Sequence, residues 1–280
     1  MTTDFNCNKV YFSALMPKVA PVAFKGLAEV LERYGVPYGM LEGTKDIWCR
    51  DYMPVQVAPG RFAAFKYEPD YLRNFKKYKP TITDGNAVAK AQGYNLEDAL
   101  GEIRLDGGNV VRCGGKVVMT AKVFEENPGC TARELSALLE EAFAAEVIFV
   151  PWDVREYYGH SDGICRDLGD DRLLMTNYRD FDKKMGDRFL NCLEHHFKEV
   201  VELKYEVETP YKENWAYINW LQTDKVLILP SFGVPEDAQA LHQVETLLPA
   251  YRGRIEQVDA CDLIPHEGCF NCATWTVQDP

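Results

Sequence analysis

The chain has 280 residues, 46% of them hydrophobic, with 31 Lys and Arg against 43 Asp and Glu, a formal net charge of −12. That length supports one large domain or two small ones, and the acidic balance excludes a nucleic-acid surface, which needs clustered Lys and Arg, while suiting a small cationic partner. No run approaches the ~20 apolar residues of a membrane helix, and Asp4, Lys9 and Lys18 interrupt the region where a signal peptide would need an apolar core.

Residues 9–14 alternate β-branched or aromatic side chains with others and are predicted as a strand. Pro21 opens a helix with Phe24, Leu27, Leu31 and Tyr34 on one face, closed by Gly35. An apolar run over 36–41 leads to a polar knot, Trp48-Cys-Arg-Asp51, and then to a hairpin of 55–57 and 62–67. A helix is expected within 85–100. A short strand over 103–105 runs into the second knot, Asp106-Gly-Gly. The scheme then repeats. A hairpin (110–113 and 117–120) precedes the capping box Thr131-x-x-Glu134, which opens a helix with Leu135, Leu138, Leu139 and Phe143 on one face. A strand over 147–150 and the knot Gly159-His-Ser-Asp-Gly163 follow. The next hairpin is 164–168 and 173–177, its helix presents Met185, Phe189, Leu193 and Phe197, and its strand is 200–204. Asn214 heads a further hairpin of 216–221 and 226–229. Pro235 opens the last helix, with Leu241, Val244 and Leu248, before a strand over 255–258.

The knots at Asp51, Asp106, His160, Asn214 and the turn 268–272 fall roughly 55 residues apart, and such a fixed period marks a repeat architecture. About five hairpin–helix–strand units are implied, within a single domain spanning 1–280. Strand 272–277 lacks a following partner and strand 9–14 a preceding one, so pairing them would close the array into a ring and hide both sheet edges. All five knots would then converge on one cavity. An open α/β sheet also alternates strands and helices, but it gives no reason for evenly spaced polar knots.

A thiol, an imidazole and several carboxylates, gathered at one point, are the parts needed for nucleophilic attack on a cation. Nine cysteines without framework spacing point to a reduced, cytoplasmic setting. The segment His266-x-x-Cys269-x-x-Cys272 is dense enough to suggest zinc, yet a structural site wants four ligands and no second Cys/His pair lies nearby. A Cys269–Cys272 redox pair would be another reading. His195 and His196 fall within a helix and read as surface or core-edge residues.

Trp48-x-Arg-Asp51, Asp106-Gly-Gly, Gly159-His-x-Asp162 with Arg166, and Asn271-Cys272-x-Thr274 resemble, in order, the motifs of the agmatine deiminase and bacterial peptidylarginine deiminase family. The resemblance spans almost the whole chain. It implies a five-bladed α/β propeller (the pentein fold of guanidino-modifying enzymes), no metal and no organic cofactor. By the same resemblance the catalytic cysteine is Cys272, the histidine His160, the guanidinium-binding carboxylates Asp51 and Asp162, and a further carboxylate Asp106. Trp48, Gly107, Arg166 and Asn271 fall in the substrate-binding motifs. Two departures stand out: the family usually has Glu-Gly-Gly where this chain has Asp106-Gly-Gly, and a glycine run with a histidine where it has Glu267-Gly-Cys-Phe-Asn271. The expected activity is deimination of a small guanidino compound, agmatine first. Arginine, a modified arginine or peptidylarginine are rivals, as is an amidinotransferase sharing every catalytic residue. A silent propeller used as a binding module is the alternative of another class. Self-association into a homo-oligomer is left open.

Overall fold

The computed structural model describes residues 1–279. In chain order its strands are β1 (Lys9–Ser13), β2 (Tyr38–Leu41), β3 (Val55–Ala58), β4 (Arg61–Ala63), β5 (Leu96–Glu97), β6 (Val111–Cys113), β7 (Lys116–Thr120) and β8 (Glu146–Val150). They continue with β9 (Cys165–Gly169), β10 (Arg172–Met175), β11 (Glu199–Glu202), β12 (Leu221–Gln222), β13 (Leu227–Ser231), β14 (Ile255–Asp259) and β15 (Thr274–Val277). They form five three-stranded sheets, β15-β1-β2, β3-β4-β5, β6-β7-β8, β9-β10-β11 and β12-β13-β14.

Every sheet repeats one scheme: its first two strands pair antiparallel and its third lies parallel to the middle one. Antiparallel neighbours are joined by a tight turn, whereas parallel ones need a crossover. Helices Pro21–Arg33, Gly85–Ala91, Ala132–Phe143, Lys183–Glu194 and Glu236–Leu247 supply the five crossovers. The fold is a five-bladed α/β propeller.

The helices form where an apolar stripe meets a cap. In Pro21–Arg33 the buried residues Ala23, Leu27, Val30 and Leu31 recur at helical spacing. Thr131 and Glu134 make the reciprocal capping box of the third helix, and Asp182 caps the fourth by accepting from Met185 N–H. Three expectations shift. The segment 103–105 makes only a single bridge, Arg104 to Lys66, and the third strand of its sheet is β5. The segment 216–221 is mostly the 3-10 turn Asn214–Ile218, with only Leu221–Gln222 extended. Phe197 is buried beyond its helix, which ends at Glu194, and Leu138 faces solvent.

The ring closes through its ends. Residues Lys9, Val10, Tyr11 and Phe12 pair antiparallel with Val277, Thr276, Trp275 and Thr274, so the C-terminus completes the N-terminal sheet. Trp275 Nε1 donates to the Pro54 carbonyl, and Gln56 and Gln278 exchange side-chain-to-backbone bonds, tying this sheet to the next. On the ring's axis the N-terminal turn Asp4–Asn6 inserts one carboxylate among three buried guanidiniums. Asp4 pairs with Arg166 at 2.8 Å and with Arg112, and accepts from Thr276 Oγ1, to which Arg50 also donates. Burial alone would raise the Asp4 carboxyl, but the charges of Arg166, Arg112 and Arg50 outweigh it and hold it far below the usual range. Among the described residues no helix is long and apolar enough to cross a membrane.

Removing that carboxylate leaves buried cations unpaired. Asp4→Ala is expected to lower the unfolding free energy in urea by about 3–5 kcal/mol, with Asp4→Glu recovering much of it; a change below about 1 kcal/mol would show that the axis is held by other contacts.

Candidate active site

The five polar turns meet as a closed circle on the axis. The short helix Cys49–Tyr52 lies against the 3-10 turn Gly107–Asn109, that turn against Ser161–Gly163, and that one against Asn214–Ile218. The circle is completed by hydrogen bonds: Asn271 N–H donates to the Asn219 carbonyl and Arg50 N–H to the Cys272 carbonyl, both near 3 Å.

Cys272 stands just before β15, in a turn that Thr274 braces by donating through Oγ1 to the Phe270 carbonyl at 2.8 Å. Its thiol is buried, 3.6 Å from Asp162 Oδ2, and its N–H donates to Asn219 Oδ1 at 3.1 Å. The same Asp162 oxygen accepts from Asn271 Nδ2 at 2.7 Å and Asn219 Nδ2 at 3.4 Å. Asp162 is therefore held by two side-chain amides beside the sulfur.

His160 lies between two carboxylates. Its Nε2 is 3.0 Å from Asp106 Oδ2, and its Nδ1 is 3.6 Å from Asp51 Oδ1. Asp106 also accepts from Tyr71 O–H at 2.9 Å, so the phenol and the imidazole share one oxygen. Asp51 differs: its Oδ1 is buried and has no hydrogen-bond partner. A buried acceptor left without a donor is costly, and here it faces a site rather than a structural partner.

Glycines make this approach possible. A Cβ on Gly108 would stand 2.5 Å from Asp51 Oδ1 and 2.6 Å from His160 Nδ1, and one on Gly107 would stand 2.0 Å from the Arg50 carbonyl. Trp48 lies over Gly268, where a Cβ would come within 2.5 Å of its ring. The rings of Tyr71 and Tyr158 flank His160, at centroid distances of 6.3 and 6.0 Å.

The electrostatics follow from gathering carboxylates in a buried place. Burial pushes the Asp51 carboxyl up to about 8; the His160 charge pulls against this, while Asp106 and Asp162 add to it. For His160, burial disfavours the imidazolium, but Asp51, Asp106 and Asp162 overcome that and raise it to about 9. Burial, then the charges of Asp162 and Asp51, drive the Cys272 thiol well above its ordinary value. The site thus disfavours a thiolate and holds more carboxylates than cations, and a bound cation would relieve both.

Of the residues singled out from sequence, the structure brings together Cys272, His160, Asp162, Asp51, Asp106, Gly107, Asn271 and, at the rim, Trp48. Arg166 is elsewhere, paired with Asp4 and stacked 5.4 Å from the Trp220 ring centroid. Asn214 is buried but is not the residue its turn contributes to this network; that is Asn219, the one side-chain amide in the run 216–221, a signal that was available. Tyr71 carried no such signal. Among the described residues no three His, Cys, Asp or Glu side chains gather as a metal would need. His266 is exposed, whereas Cys269 is fully buried in an apolar cluster.

A family model described as Porphyromonas-type peptidyl-arginine deiminase matches residues 27–277. Among solved structures, agmatine deiminase of Enterococcus faecalis superposes with a TM-score of 0.78 at 15% identity, covering 100% of this chain and 95% of that one. C. jejuni agmatine deiminase gives 0.76 at 16% identity over 98% and 94%. DDAH from Pseudomonas aeruginosa gives 0.60 at 13% identity over 97% and 99%. Identities this low speak to a shared fold. A search of curated proteins returns no match.

The pairing of His160 with Asp106 has a direct readout. In Asp106→Asn the His160 titration followed by NMR is expected to fall from about 9 toward the ordinary 6.5, because one of its stabilising charges is gone. An unmoved titration would assign the elevation to Asp51 and Asp162 alone.

Proposed function

The chain belongs to the Porphyromonas-type peptidyl-arginine deiminase family, and on that footing we propose that it is a guanidine deiminase, a hydrolase of C–N bonds acting on a small cationic substrate. The observation that supports this most is the buried, unpartnered Asp51 Oδ1 beside a thiol, an imidazole and Asp162. A guanidinium is a planar cation with forked N–H donors, which carboxylates accept in pairs. Asp51 and Asp162 grip it and keep its charge, and that charge makes the central carbon electrophilic.

The reaction proceeds in two halves. The bound cation lowers the cost of the Cys272 thiolate, whose Sγ attacks the guanidinium carbon. Imidazolium His160 gives its proton to one departing nitrogen, the C–N bond breaks, and ammonia leaves a thiouronium on the sulfur. Neutral His160 then takes a proton from water, whose oxygen attacks the same carbon. Collapse breaks the C–S bond, returns the thiolate and releases a urea, the hydroxyl proton passing through solvent to the departed ammonia. Asp106, with Tyr71 on the same oxygen, orients the imidazole. Asn219 and Asn271 hold Asp162 beside the sulfur.

Agmatine is the favoured substrate, giving N-carbamoylputrescine and ammonia and feeding polyamine synthesis. The basic side chains that a substrate carboxylate would seek are already engaged: Arg112 and Arg166 by Asp4, and Lys122 by the Tyr157 and Tyr158 carbonyls and Asp70. The reading takes residues 1–280 as one domain, with nine free cysteines that fit a reducing cytoplasm.

Ammonia release from agmatine, arginine, a blocked arginine amide and methylated arginines tests the reading. Turnover of agmatine above the rest, lost by more than about a thousandfold in Cys272→Ala, is expected. Preference for a carboxylate-bearing guanidine would move the substrate and keep the chemistry. Release from none would leave a binding module.

The pH profile is a separate check. The working form has Asp51 ionised and His160 protonated, so kcat/KM is expected to rise as Asp51 loses its proton near 8 and to fall as His160 does near 9. An optimum on the acid side of neutrality would contradict the assignment.

A further inference from the structure

The 3-10 turn Ile264–His266 ends on Glu267, whose backbone is left-handed at φ 70°. Among the described residues the other non-glycine positions of this kind are Ala144, which closes a helix, and Asp170 and Asp171, in the β9–β10 turn. Those are ordinary places for such a backbone. Glu267 instead stands at the rim of the site, where a glycine would sit without strain.

The side chain there is exposed, while Gly268 and Cys269–Cys272 beyond it are buried. Its carboxylate accepts a hydrogen bond from Tyr158 O–H. The Tyr158 ring meets Tyr71 edge-on at 5.0 Å and lies 6.0 Å from His160. One bond therefore joins the turn carrying the thiol to the loop carrying the imidazole. Lys122 steadies that loop from below: its Nζ donates to the Tyr158 carbonyl at 2.9 Å and sits 4.7 Å from the Tyr71 ring centroid. Burial first, then Glu267, push the Tyr158 phenol up, so it remains a donor.

Carboxylates thus stand at two depths of the site. Asp51 Oδ1 is buried without a hydrogen-bond partner, and Glu267 is exposed on the turn whose Gly268 packs against Trp48, bonded to the Tyr158 that neighbours His160 and Tyr71. Two carboxylates so placed, with aromatic rings beside them, suit an apolar linker with a cation at each end. We propose that Glu267, set by Tyr158, is the specificity-determining residue of this site, accepting the cationic tail group of a guanidino substrate whose other end Asp51 holds. The inference rests on the deiminase reading above and adds to it the residue that chooses between tails.

Wild type, Glu267→Gln and Tyr158→Phe would be compared on agmatine, n-butylguanidine and 4-guanidinobutanoate, whose tails end in a cation, a methyl and an anion. For Glu267→Gln, kcat/KM for agmatine is expected to fall at least about tenfold, chiefly through KM, while n-butylguanidine stays within roughly twofold. The anionic tail should gain relative to the cationic one, and the agmatine preference of wild type should shrink as salt rises. Tyr158→Phe should weaken the agmatine preference less. Equal losses on agmatine and n-butylguanidine would show a merely structural role, and an unchanged ratio would show that Glu267 does not read the tail; either overturns the proposal while leaving the deiminase reading intact. No turnover of any of the three by wild type would overturn both.

Discussion

The antiparallel pairing of β15 with β1 is the contact on which the rest depends. Without it β15 would have no partner strand and β1 would lie at the edge of a two-stranded sheet, each presenting unmet backbone donors and acceptors. Joining the last strand to the first completes the fifth three-stranded sheet and brings the polar turn of every unit toward one axis. Cys272 lies two residues ahead of β15, so the pairing that closes the ring also sets the thiol. The bond from Arg50 N–H to the Cys272 carbonyl then brings the turn holding Asp51 alongside it.

Along that axis two clusters of opposite sign adjoin. On one side Arg50, Arg112 and Arg166 surround Asp4. On the other, Asp51, Asp106 and Asp162 gather around His160 and the sulfur. Arg50 and Asp51, neighbours in sequence, mark the boundary between them. Each arginine of the first cluster is bonded within the fold, Arg112 and Arg166 to Asp4 and Arg50 to Thr276 and the Asn271 carbonyl. The second cluster is less satisfied: its acids outnumber the imidazole, burial pushes Asp51 up to about 8, and one of its oxygens has no hydrogen-bond partner. A planar cation would supply the missing charge and donors together, and would stabilise the thiolate that burial and the charges of Asp162 and Asp51 oppose.

Much of the architecture was legible because it is local. The stripe at Leu27 and Leu31, the Thr131–Glu134 box and the repeated hairpins each announce an element within a few residues, and the even spacing of polar turns announces the ring. What was not legible depends on distant partners. Strand β5 has only two residues and exists because β4 offers an edge, so the more apolar run 103–105 looked like the better strand. Tyr71 joins the site from the short helix Asp70–Arg73, held by its bond to Asp106 and by the Lys122 ammonium over its ring. In the fourth unit the polar knot falls at Asn214 in the sequence, yet it is Asn219 that bonds Asp162 and Cys272. Arg166 was grouped with the substrate residues because it follows their motif, but from β9 it reaches Asp4, a partner in a segment with no motif at all.

The central claim is that Cys272 takes the guanidino carbon onto its sulfur. The most direct measurement is mass spectrometry of the protein acid-quenched during turnover of agmatine, followed by peptide mapping. The account predicts an adduct equal to the substrate less ammonia, carried by the peptide containing Cys272 and absent from Cys272→Ala. Turnover without any adduct, persisting in Cys272→Ala, would contradict it and shift the chemistry to direct attack by water.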